Sequence, residues 1–547
     1  MIALWKLVFV LQAALVTTQL TASNFPPLID ATIDDIKAGL ESGLFNSVAL
    51  VRTYLDRIAE VNPVLRAVTE ANPDAVDIAT ALDAERAEGK LRGPLHGIPI
   101  LIKNNIATLD KMNTTAGSFV LLGALPPRDS FVASRLRAAG AIILGKANLS
   151  QWANFRSSNS SNGWSAHGGQ VKAAYIQDQD PSGSSSGSGV AAALGLAAVC
   201  LGTETDGSIL SPAHRNNVVG IKPTVGLTSR DLVIPISEHQ DTVGPIARTV
   251  KDAAYVLQAI AGMDENDSYT SAIPMDGVGV LPDYVAACNN EEALRGARLG
   301  IPSNVIELFL QFDNSSQPEV DAFLAVMGII ESAGAVVLQN TNFTNLTEWA
   351  NSTAEGTVLR ADFITNLAAY LGQLTTNPNN VTSLADVARF TKTASPDLEE
   401  FPDRNTETWD MALDPETGFN NTDPRIVPVL EENRFLGGEG GLLGALDRHG
   451  LDAIILPSGF APGFAAIIGA PAVTVPLGSY PADAPVIMNF RGDLVDTGPN
   501  VPFGLAFLGR HFDEAKLIGL AHAFEQKTKV RGTIQTIMVP SAEVVVA

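Results

Sequence analysis

Three positions in the sequence carry side chains that could do chemistry together. Ser208 stands in the stretch TETDGSI, just after a short apolar run. Ser184 lies in the stretch SGSSSGS at residues 182–188, and Lys103 ends the apolar stretch IPILIK. A serine hydroxyl is a weak nucleophile until a base takes its proton. No Ser-His-Asp pattern surrounds His214, the histidine nearest to Ser208, so the sequence leaves open which group serves as that base.

Lys103 could be that base if its amine is neutral. Burial of an ammonium group lowers its pKa, by up to about 3–5 units when burial is complete. A neutral amine near pH 7 can act as a general base. The alternative interpretation is a lysine whose charged head reaches water, and IPILIK by itself favours that alternative.

Two glycine-containing stretches could position these groups. In residues 182–188 glycine permits close backbone approach, and serine hydroxyls both donate and accept hydrogen bonds. This signal is weak by itself, whereas TETDGSI is more specific. As the chain turns out of a strand there, the backbone N–H groups of Thr205, Asp206, Gly207 and Ser208 could converge on an oxyanion.

The surrounding sequence predicts alternating strands and helices. Continuous apolar runs predict buried strands at 98–102, ending at Lys103, and at 141–144. Three more follow residue 450, in LDAIILPSG, APAVTVPLG and FGLAFLGR. We expect an α/β fold: a central mixed, mostly parallel β-sheet covered by helices on both faces.

Helical patterns open and close the predicted fold. The first begins at Thr32, with Asp35 three residues later in a near capping box, and the second is expected to stop at Pro63. A third follows in ANPDAVDIATALDAERAEGK, and FDEAKLIGLAHAFEQKTK predicts a closing amphipathic helix.

The domain organisation follows from composition along the chain. Residues 310–430 are acidic, loop-rich and contain glycosylation sequons, which indicates a peripheral insertion. We expect one domain over residues 23–547, with its core at about 30–310 and 430–535.

Several longer stretches carry a family resemblance. GPLHGIPILIKNNI, GKANLSQWANFRSSNSSNGW, DPSGSSSGSGVAAALGLAAVCLGTETDGSI and DTVGPIARTVKDAAYVLQAIAG resemble the amidase signature family, and GLAFLGRHFDEAKLIGLAHAFEQKTK resembles the end of its fold. The similarity runs from about residue 30 to residue 532. The wording GSSSGS…GTETDGSI is most similar to the branch of bacterial peptide amidases and their fungal and plant relatives.

The resemblance implies an activity and a role for each candidate residue. The chain is expected to have the amidase signature fold and to cleave a linear carboxylic amide through an acyl-enzyme, releasing ammonia or an amine. Ser208 corresponds to the nucleophile, and Ser184, after a cis peptide bond, to a proton relay. Lys103 corresponds to the general base, and the backbone of residues 205–208 to the oxyanion hole. No cofactor or metal is implied.

The sequence departs from the commonest family pattern at two positions. Asp206 stands where many members have glycine, a change that backbone donation should survive. Leu210 stands where many have arginine. The second departure removes a cation, which weakens the expectation that a substrate carboxylate is recognised there.

Three alternative functions remain open. Ser185 is the centre of GSSSG, a G-x-S-x-G motif that in an α/β-hydrolase or esterase would need a preceding strand and a later histidine such as His511 or His522. The glutamine-amidase subunit of a tRNA-dependent amidotransferase has the same fold, but the acidic surface and the N-terminus argue against it. A non-catalytic binding protein on this fold would have lost a catalytic residue, whereas all three are present.

Charge and metal-ligand spacing exclude other functions. The formal net charge of −23 disfavours a nucleic-acid partner. No cluster has metal-ligand spacing; the acidic stretches at 398–403 and 414–416 are expected to be solvated loops, and His96 a turn residue. The resemblance implies a small-molecule amide as the substrate. C-terminal peptide amides, fatty amides and aryl amides all remain candidates.

The N-terminus predicts secretion. Lys6, an apolar run at 7–16 and small polar residues after it are typical of a signal peptide over residues 1–22, and no later stretch has 18 consecutive apolar residues. The mature protein is expected to be extracellular, off the membrane and N-glycosylated, most readily at Asn342, Asn345 and Asn351, with Asn148 bare.

The two cysteines, Cys200 and Cys288, are too few for a disulfide scaffold. Cys200 is expected to be a buried thiol, and a bridge between the two remains open.

Overall fold

The computed structural model describes residues 25–274 and 280–546. The predicted signal peptide at residues 1–22 lies outside these described residues. Among the described helices, none is both long and apolar enough to cross a bilayer.

Fifteen strands are present in the described chain, most of them short and buried. They are β1 Val68–Ala71, β2 Pro99–Lys103, β3 Ile142–Ala147, β4 Trp164–Ser165, β5 Gly169–Gln170, β6 Val199–Glu204, β7 Val219–Lys222, β8 Thr242–Ala247, β9 Arg298–Ile301, β10 Val336–Gln339, β11 Ala453–Pro457, β12 Ala472–Ser479, β13 Ile487–Met488, β14 Val495–Thr497 and β15 Pro502–Leu508.

The α-helices of the described chain are α1 Ile33–Ser42, α2 Ser47–Leu65, α3 Ala75–Ala87, α4 Phe131–Ala138, α5 Ser186–Ala193, α6 Leu210–Arg215, α7 Val250–Ile260, α8 Ser303–Phe312, α9 Gln317–Ala325, α10 Met327–Ser332, α11 Leu346–Asn351, α12 Ala354–Leu371, α13 Leu384–Arg389, α14 Glu407–Ala412, α15 Ile426–Gly437, α16 Leu442–Arg448, α17 Pro462–Ala466 and α18 Glu514–Thr528.

One large mixed sheet organises the fold, which confirms the predicted α/β class. Its 11 strands lie in the order β1-β3-β2-β6-β8-β7-β12-β15-β11-β9-β10. Parallel pairing is confined to β3–β2–β6 and β11–β9–β10, and the central strands pair antiparallel. The sheet therefore has more antiparallel pairing than the sequence predicted, because an apolar run reports burial on both faces and not strand direction.

The strands and helices that position the candidate residues follow the sequence pattern closely. β2 is buried throughout and ends at Lys103, as predicted. The capping box of α1 is present, with Thr32 and Asp35 bonding each other's backbone. One predicted boundary was wrong: α2 continues past Pro63 to Leu65. A proline in the last turn removes one donor without stopping the helix, which ends at Arg66 in a left-handed conformation.

The segment predicted to be a peripheral insertion divides into two parts. Its beginning belongs to the sheet layer, because β10 pairs in parallel with β9 at the sheet edge. Further along, α12, α13 and α14 form a small hydrophobic cluster around the buried Phe363 and Trp409. We call this group the cap cluster. It includes Trp152, which follows β3, so the cap covers loops that leave the site-bearing strands.

The two cysteines do not pair in this structure. Cys200 lies on β6 and Cys288 in a short 3-10 helix, and both are free and buried. Burial raises the pKa of each thiol to about 12, so neither is a reactive thiolate near neutral pH.

Candidate active site

Lys103 lies at the end of β2 with its amine enclosed by protein. The side chain is fully buried. Its Nζ donates hydrogen bonds to Ser184 Oγ at 2.7 Å, to Thr203 Oγ1 at 2.9 Å and to the carbonyl oxygen of Thr203 at 3.0 Å. The alternative of a lysine whose head reaches water is therefore wrong for this position.

The enclosure changes the charge of Lys103. Desolvation lowers the pKa of its ammonium to about 7, although the negative charges of Glu204 and Asp241 act in the opposite direction. A lysine with this lowered pKa has neutral amine available near pH 7, and a neutral amine can accept a proton.

Ser184 connects the lysine to Ser208. The Gly183–Ser184 peptide bond is cis, and Ser184 is fully buried. Ser184 Oγ lies 2.9 Å from Ser208 Oγ, and Lys103 Nζ lies 2.7 Å from Ser184 Oγ. The structure thus brings the three predicted side chains into one continuous hydrogen-bond chain, although they lie far apart in the sequence.

Backbone hydrogen bonds of the Gly/Ser loop, residues 182–188, hold the hydrogen-bond chain of Lys103, Ser184 and Ser208 in place. Ser150 N donates to the carbonyl oxygen of Ser184 at 3.0 Å, and Ser185 N donates to that of Ser208 at 3.1 Å. Gly187 cannot be larger, because an added Cβ would lie 2.2 Å from the carbonyl oxygen of Ala67. Ser184, Ser185 and Ser186 are fully buried, so the loop is a packed part of the core.

Ser185 has a different environment from the one that a G-x-S-x-G elbow requires. Its hydroxyl is fully buried and donates to the carbonyl oxygen of Thr203 at 3.2 Å. His511 Nε2 contacts the carbonyl oxygen of Ile468, and His522 lies near Glu525. Among the described residues no histidine forms a hydrogen bond with Ser184, Ser185 or Ser208.

The turn that presents Ser208 is held by Glu204. Glu204 Oε2 accepts hydrogen bonds from the N–H groups of Ile209 at 2.6 Å and Leu210 at 2.9 Å. Desolvation raises the pKa of this buried carboxyl. Gly207 has φ 78°, a conformation that favours glycine. Thr205 and Ser208, at the two ends of the predicted oxyanion segment, are 7% and 6% exposed.

Two further residues complete the surroundings of Lys103 and were missed by sequence reasoning. Thr203 accepts two hydrogen bonds from Lys103, and its Oγ1 also accepts one from Asn105 Nδ2 at 3.0 Å. The signal available in the sequence was their position, since β2 and β6 are parallel neighbours and both residues lie at their carboxyl ends. Side chains there meet at one sheet edge.

Other buried titratable side chains lie outside the hydrogen-bond chain that runs from Lys103 to Ser208. Lys146 is on β3, and desolvation lowers its pKa to about 7. Its Nζ donates to Thr114 Oγ1 at 3.0 Å. Lys222, on β7, donates to the carbonyl oxygen of Ala470 at 2.6 Å. Burial lowers the pKa of His214 to about 3, which keeps it neutral. His96 is buried, with Nε2 2.9 Å from the carbonyl oxygen of Leu82.

One group of described side chains has the chemistry of a metal site, and the sequence did not reveal it. Glu238, His239 and Asp362 offer ligand atoms within 4.8 Å of one another. In this structure they are already hydrogen-bonded: His239 Nδ1 lies 2.8 Å from Asp362 Oδ2, and Asn421 Nδ2 donates to both Glu238 and Asp362. The group joins the loop before β8 to α12.

A cavity of about 300 Å³ lies beside the two serine-bearing loops. Its lining includes Ser182 and Ser211, the aromatic Phe309, Phe460 and Tyr480, and charged side chains such as Arg215 and Glu319. The rings of Phe309 and Phe460 stack at 4.6 Å. Ser184 and Ser208 are not among the residues that line this cavity, which adjoins their loops through Ser182 and Ser211.

The chain is similar to proteins and solved structures described as amidases. A family model described as Amidase matches residues 49–424. A protein of Arthroderma benhamiae named "Putative amidase" is 53% identical over 544 residues, which cover 96% of this chain and 90% of the relative. The X-ray structure of native peptide amidase from Stenotrophomonas maltophilia is 40% identical, with a TM-score of 0.80 over 94% of this chain and 99% of that one.

A second solved structure extends the comparison to a bound molecule. It is a peptide amidase in complex with the competitive inhibitor chymostatin, 40% identical, with a TM-score of 0.81 over 92% of this chain and 99% of that chain.

Proposed function

The chain belongs to the amidase family, and from that premise we propose that it hydrolyses a linear carboxylic amide with Ser208 as nucleophile, Ser184 as proton relay and Lys103 as general base. The observation that carries the proposal is the chain of contacts from Lys103 Nζ to Ser184 Oγ at 2.7 Å and on to Ser208 Oγ at 2.9 Å. A nucleophile, a base within reach and a group that orients the base are the parts that covalent catalysis needs.

The first half of the reaction forms an acyl-enzyme. Ser208 Oγ attacks the amide carbonyl carbon as its proton passes to Ser184 Oγ, and the Ser184 proton passes to neutral Lys103. The carbonyl π pair moves onto oxygen to give a tetrahedral intermediate. When that oxyanion collapses, the C–N bond breaks, and the relay returns the proton to the leaving nitrogen, which departs as ammonia or an amine.

The second half restores the enzyme. A water molecule attacks the ester carbonyl carbon and gives its proton through Ser184 to Lys103. The second tetrahedral intermediate collapses, the bond to Ser208 Oγ breaks, and the relay returns the proton to that oxygen. The carboxylic acid is released.

The backbone of residues 205–208 is proposed to stabilise the oxyanion. Glu204 binds the neighbouring N–H groups of Ile209 and Leu210 and so fixes the turn before substrate arrives. Donors fixed in advance stabilise developing charge without reorganising during the reaction.

For the substrate we propose a peptide amide or an amide of similar size. Two lines of support exist: the peptide amidase relatives described above, and the cavity of about 300 Å³ with aromatic walls beside the serine loops. An aromatic wall suits an apolar side chain of the acyl group.

A substrate panel tests the proposed reaction. Purified protein is incubated with C-terminal peptide amides, fatty amides, aryl amides and glutamine, and ammonia release is measured. We expect turnover of peptide amides and none by the Ser208→Ala protein. Turnover confined to glutamine would favour the amidotransferase-subunit alternative, and no turnover of any amide would favour a binding protein.

We also propose that the protein is secreted. The support is the N-terminal sequence pattern together with ten sequons, most of whose asparagines lie at the surface. Secretion would place the enzyme with extracellular peptides and other amides.

A further inference from the structure

The cavity of about 300 Å³ beside the serine loops has charged walls that the proposed reaction does not use. Four carboxyl side chains line it, and its one permanent cation is Arg215; the carboxyl groups belong to Asp180, Asp313, Glu319 and Asp496. Arg215 Nη2 donates to Asp496 Oδ1 at 3.1 Å, and among the described residues none of the other three carboxyl groups forms an ion pair. The cavity is therefore acidic and disfavours an anionic ligand.

Glu319 is the most deeply enclosed of these carboxyl groups with so few donors. It lies on α9 and is 3% exposed. Its Oε1 accepts one hydrogen bond, from Gly459 N at 3.3 Å, and its Oε2 has no partner among the described residues. Oε2 is not one of the side-chain atoms that the protein seals from solvent, so a molecule in the cavity can reach it. Desolvation raises the pKa of Glu319 to about 7, which a cation beside it would reverse.

His214 is a second polar side chain without a partner on the same cavity. It is 5% exposed, and no hydrogen bond to its imidazole is present among the described residues. Burial lowers its pKa to about 3, so the ring is neutral and one of its nitrogens is an acceptor. A buried acceptor that lacks a donor is unfavourable, and a ligand that donates would satisfy it.

Glu319 and His214 border the same part of the cavity. Gly459, which also lines it, marks the place: a Cβ built on Gly459 would lie 3.6 Å from Glu319 Oε2 and 3.8 Å from His214 Cε1. The carboxyl group and the imidazole therefore approach one point from two directions. A ligand group with several donors can contact both at once.

The aromatic wall suits a flat cation with an apolar stem. Phe309 and Phe460 stack with their ring centroids 4.6 Å apart and their planes at 12°. Guanidinium groups stack on aromatic faces, carry five donors in one plane and have no acceptor. The methylene stem of an arginine side chain packs on apolar surface while its charged end reaches polar groups.

The cavity lies at the right distance from Ser208 for such a side chain. Helical hydrogen bonding begins at the carbonyl oxygen of Gly207, which accepts from Ser211 N at 2.7 Å, and continues along α6. His214 is six residues after Ser208, about 9 Å along a helix axis at 1.5 Å per residue. Ser211 lines the cavity between them. A substrate carbonyl at Ser208 can thus extend a long side chain toward His214, whereas a short one does not span the distance.

We propose that Glu319 and His214 form a subsite for the guanidinium group of an arginine side chain in the acyl part of the substrate. The inference rests on the proposed function, because it takes the carbonyl carbon of that arginine as the one that Ser208 attacks. Peptides that end in an arginine amide are then the preferred substrate class.

The test compares two amides of the same length that differ in one charge. N-Acetyl-L-argininamide has a guanidinium, and N-acetyl-L-citrullinamide has a neutral ureido group in its place. Ammonia release at about pH 8 gives kcat/KM for each, because the ionised Glu319 and the neutral Lys103 both predominate there. Salt at about 0.15 M screens the long-range effect of the net charge of −23.

Two variants test the subsite by different routes. Glu319→Gln removes the carboxylate and retains an oxygen that can accept from Gly459 N. Asp496→Asn, at a half-exposed side chain, leaves Arg215 without its ion pair, so that its charge repels a guanidinium. Glu331→Gln, on α10, removes an exposed carboxylate elsewhere and is the control.

We expect the parent to prefer the arginine amide by about tenfold or more, as for hydrogen bonds to a charged group. Glu319→Gln and Asp496→Asn should each reduce that preference about fivefold or more, and Glu331→Gln should retain it. If Glu319→Gln does not fold, Asp496→Asn decides. A preference below about twofold in the parent, or one that is unchanged in the folded variants, would overturn the proposal.

Binding separates this inference from the proposed reaction. Calorimetry with Ser208→Ala protein measures the affinity for both amides without turnover, and the arginine amide should bind more tightly by a similar factor. Absence of ammonia release from every amide by the parent would contradict the proposed function. Equal affinities for the two amides would contradict the guanidinium subsite, whether or not turnover occurs.

Discussion

At the scale of single residues, the proposed chemistry depends on one buried amine. Lys103 is fully enclosed and has three hydrogen-bond acceptors around its Nζ, one of which is the Ser184 hydroxyl. Lys146 is as deeply buried and has a similarly lowered pKa, yet contacts neither serine. Burial therefore provides a neutral amine at both places, and only the contact with Ser184 makes one of them useful as a base.

Replacement of Lys103 separates the structural effect of a buried lysine from its proposed role as a base. Lys103→Met keeps the side-chain volume and removes the amine, so we expect kcat/KM to fall by about 10²–10⁴, the usual contribution of a general base. Lys146→Met is the matched control and should retain kcat/KM in the folded protein. Comparable losses in both variants would show that any buried lysine in this sheet is needed only for structure.

The pH dependence of the reaction should report the same amine. Because desolvation lowers the pKa of Lys103 to about 7, the neutral base predominates above that pH and the inactive ammonium below it. We expect kcat/KM to rise with pH through an apparent pKa of about 7 and then to level off. A profile that is flat from about pH 6 to 10 would contradict a lysine base.

At the scale of helices and strands, the site forms where the carboxyl ends of two parallel strands lie against one packed loop. β2 delivers Lys103, β6 delivers Thr203, and the loop before α5 inserts Ser184 between Lys103 and the turn that bears Ser208. α12 places Glu355 where its Oε1 accepts a hydrogen bond from Gln240 Nε2 at 2.8 Å.

The cap cluster gives a stability prediction. Trp409 is fully buried, packs edge-on against Trp152 at 5.8 Å and donates from Nε1 to the carbonyl oxygen of Phe155. Trp409→Ala should lower the free energy of unfolding by about 3–5 kcal/mol. Leu413→Ala, one turn later and 37% exposed, is the control and should have an effect below about 1 kcal/mol. Denaturant unfolding monitored by fluorescence measures both, and equal effects would contradict the cap packing.

The sequence predicted the local parts of this arrangement and missed the contacts between distant segments. The apolar run before Lys103 and the turn TETDGSI are each readable within about ten residues. Thr203 lies 100 residues from Lys103, and Gln240 lies 115 from Glu355, so nothing local identifies them as partners. The direction of the central strands was missed for a similar reason, since burial and not pairing determines their composition.

At the scale of the whole molecule, the surface is acidic and carries the sequons. The formal net charge is −23, which disfavours anionic polymers as partners. Asn342 and Asn351 are exposed, Asn345 is half-buried, and Asn148 is fully buried, with its Nδ2 donating to the carbonyl oxygen of Arg66 at 3.0 Å.

These exposures predict a glycosylation pattern. In protein secreted from a eukaryotic host we expect glycans at Asn342 and Asn351 and none at Asn148, because a glycan must project into water. Peptide mass mapping before and after endoglycosidase treatment measures each site. A product that begins at Met1 and shows no mass shift would contradict the secretory interpretation. It would reopen the alternative of a glutamine-amidase subunit of a tRNA-dependent amidotransferase.

The central claim is that Ser208, activated through Ser184 by Lys103, is the nucleophile. A fluorophosphonate probe reacts with an activated serine, and mass mapping of the labelled peptides identifies which one. We predict label on Ser208 in the parent, no label in Ser208→Ala, and labelling slowed by at least 10²-fold in Lys103→Met. Label that persists in Ser208→Ala and disappears in Ser185→Ala would contradict the account.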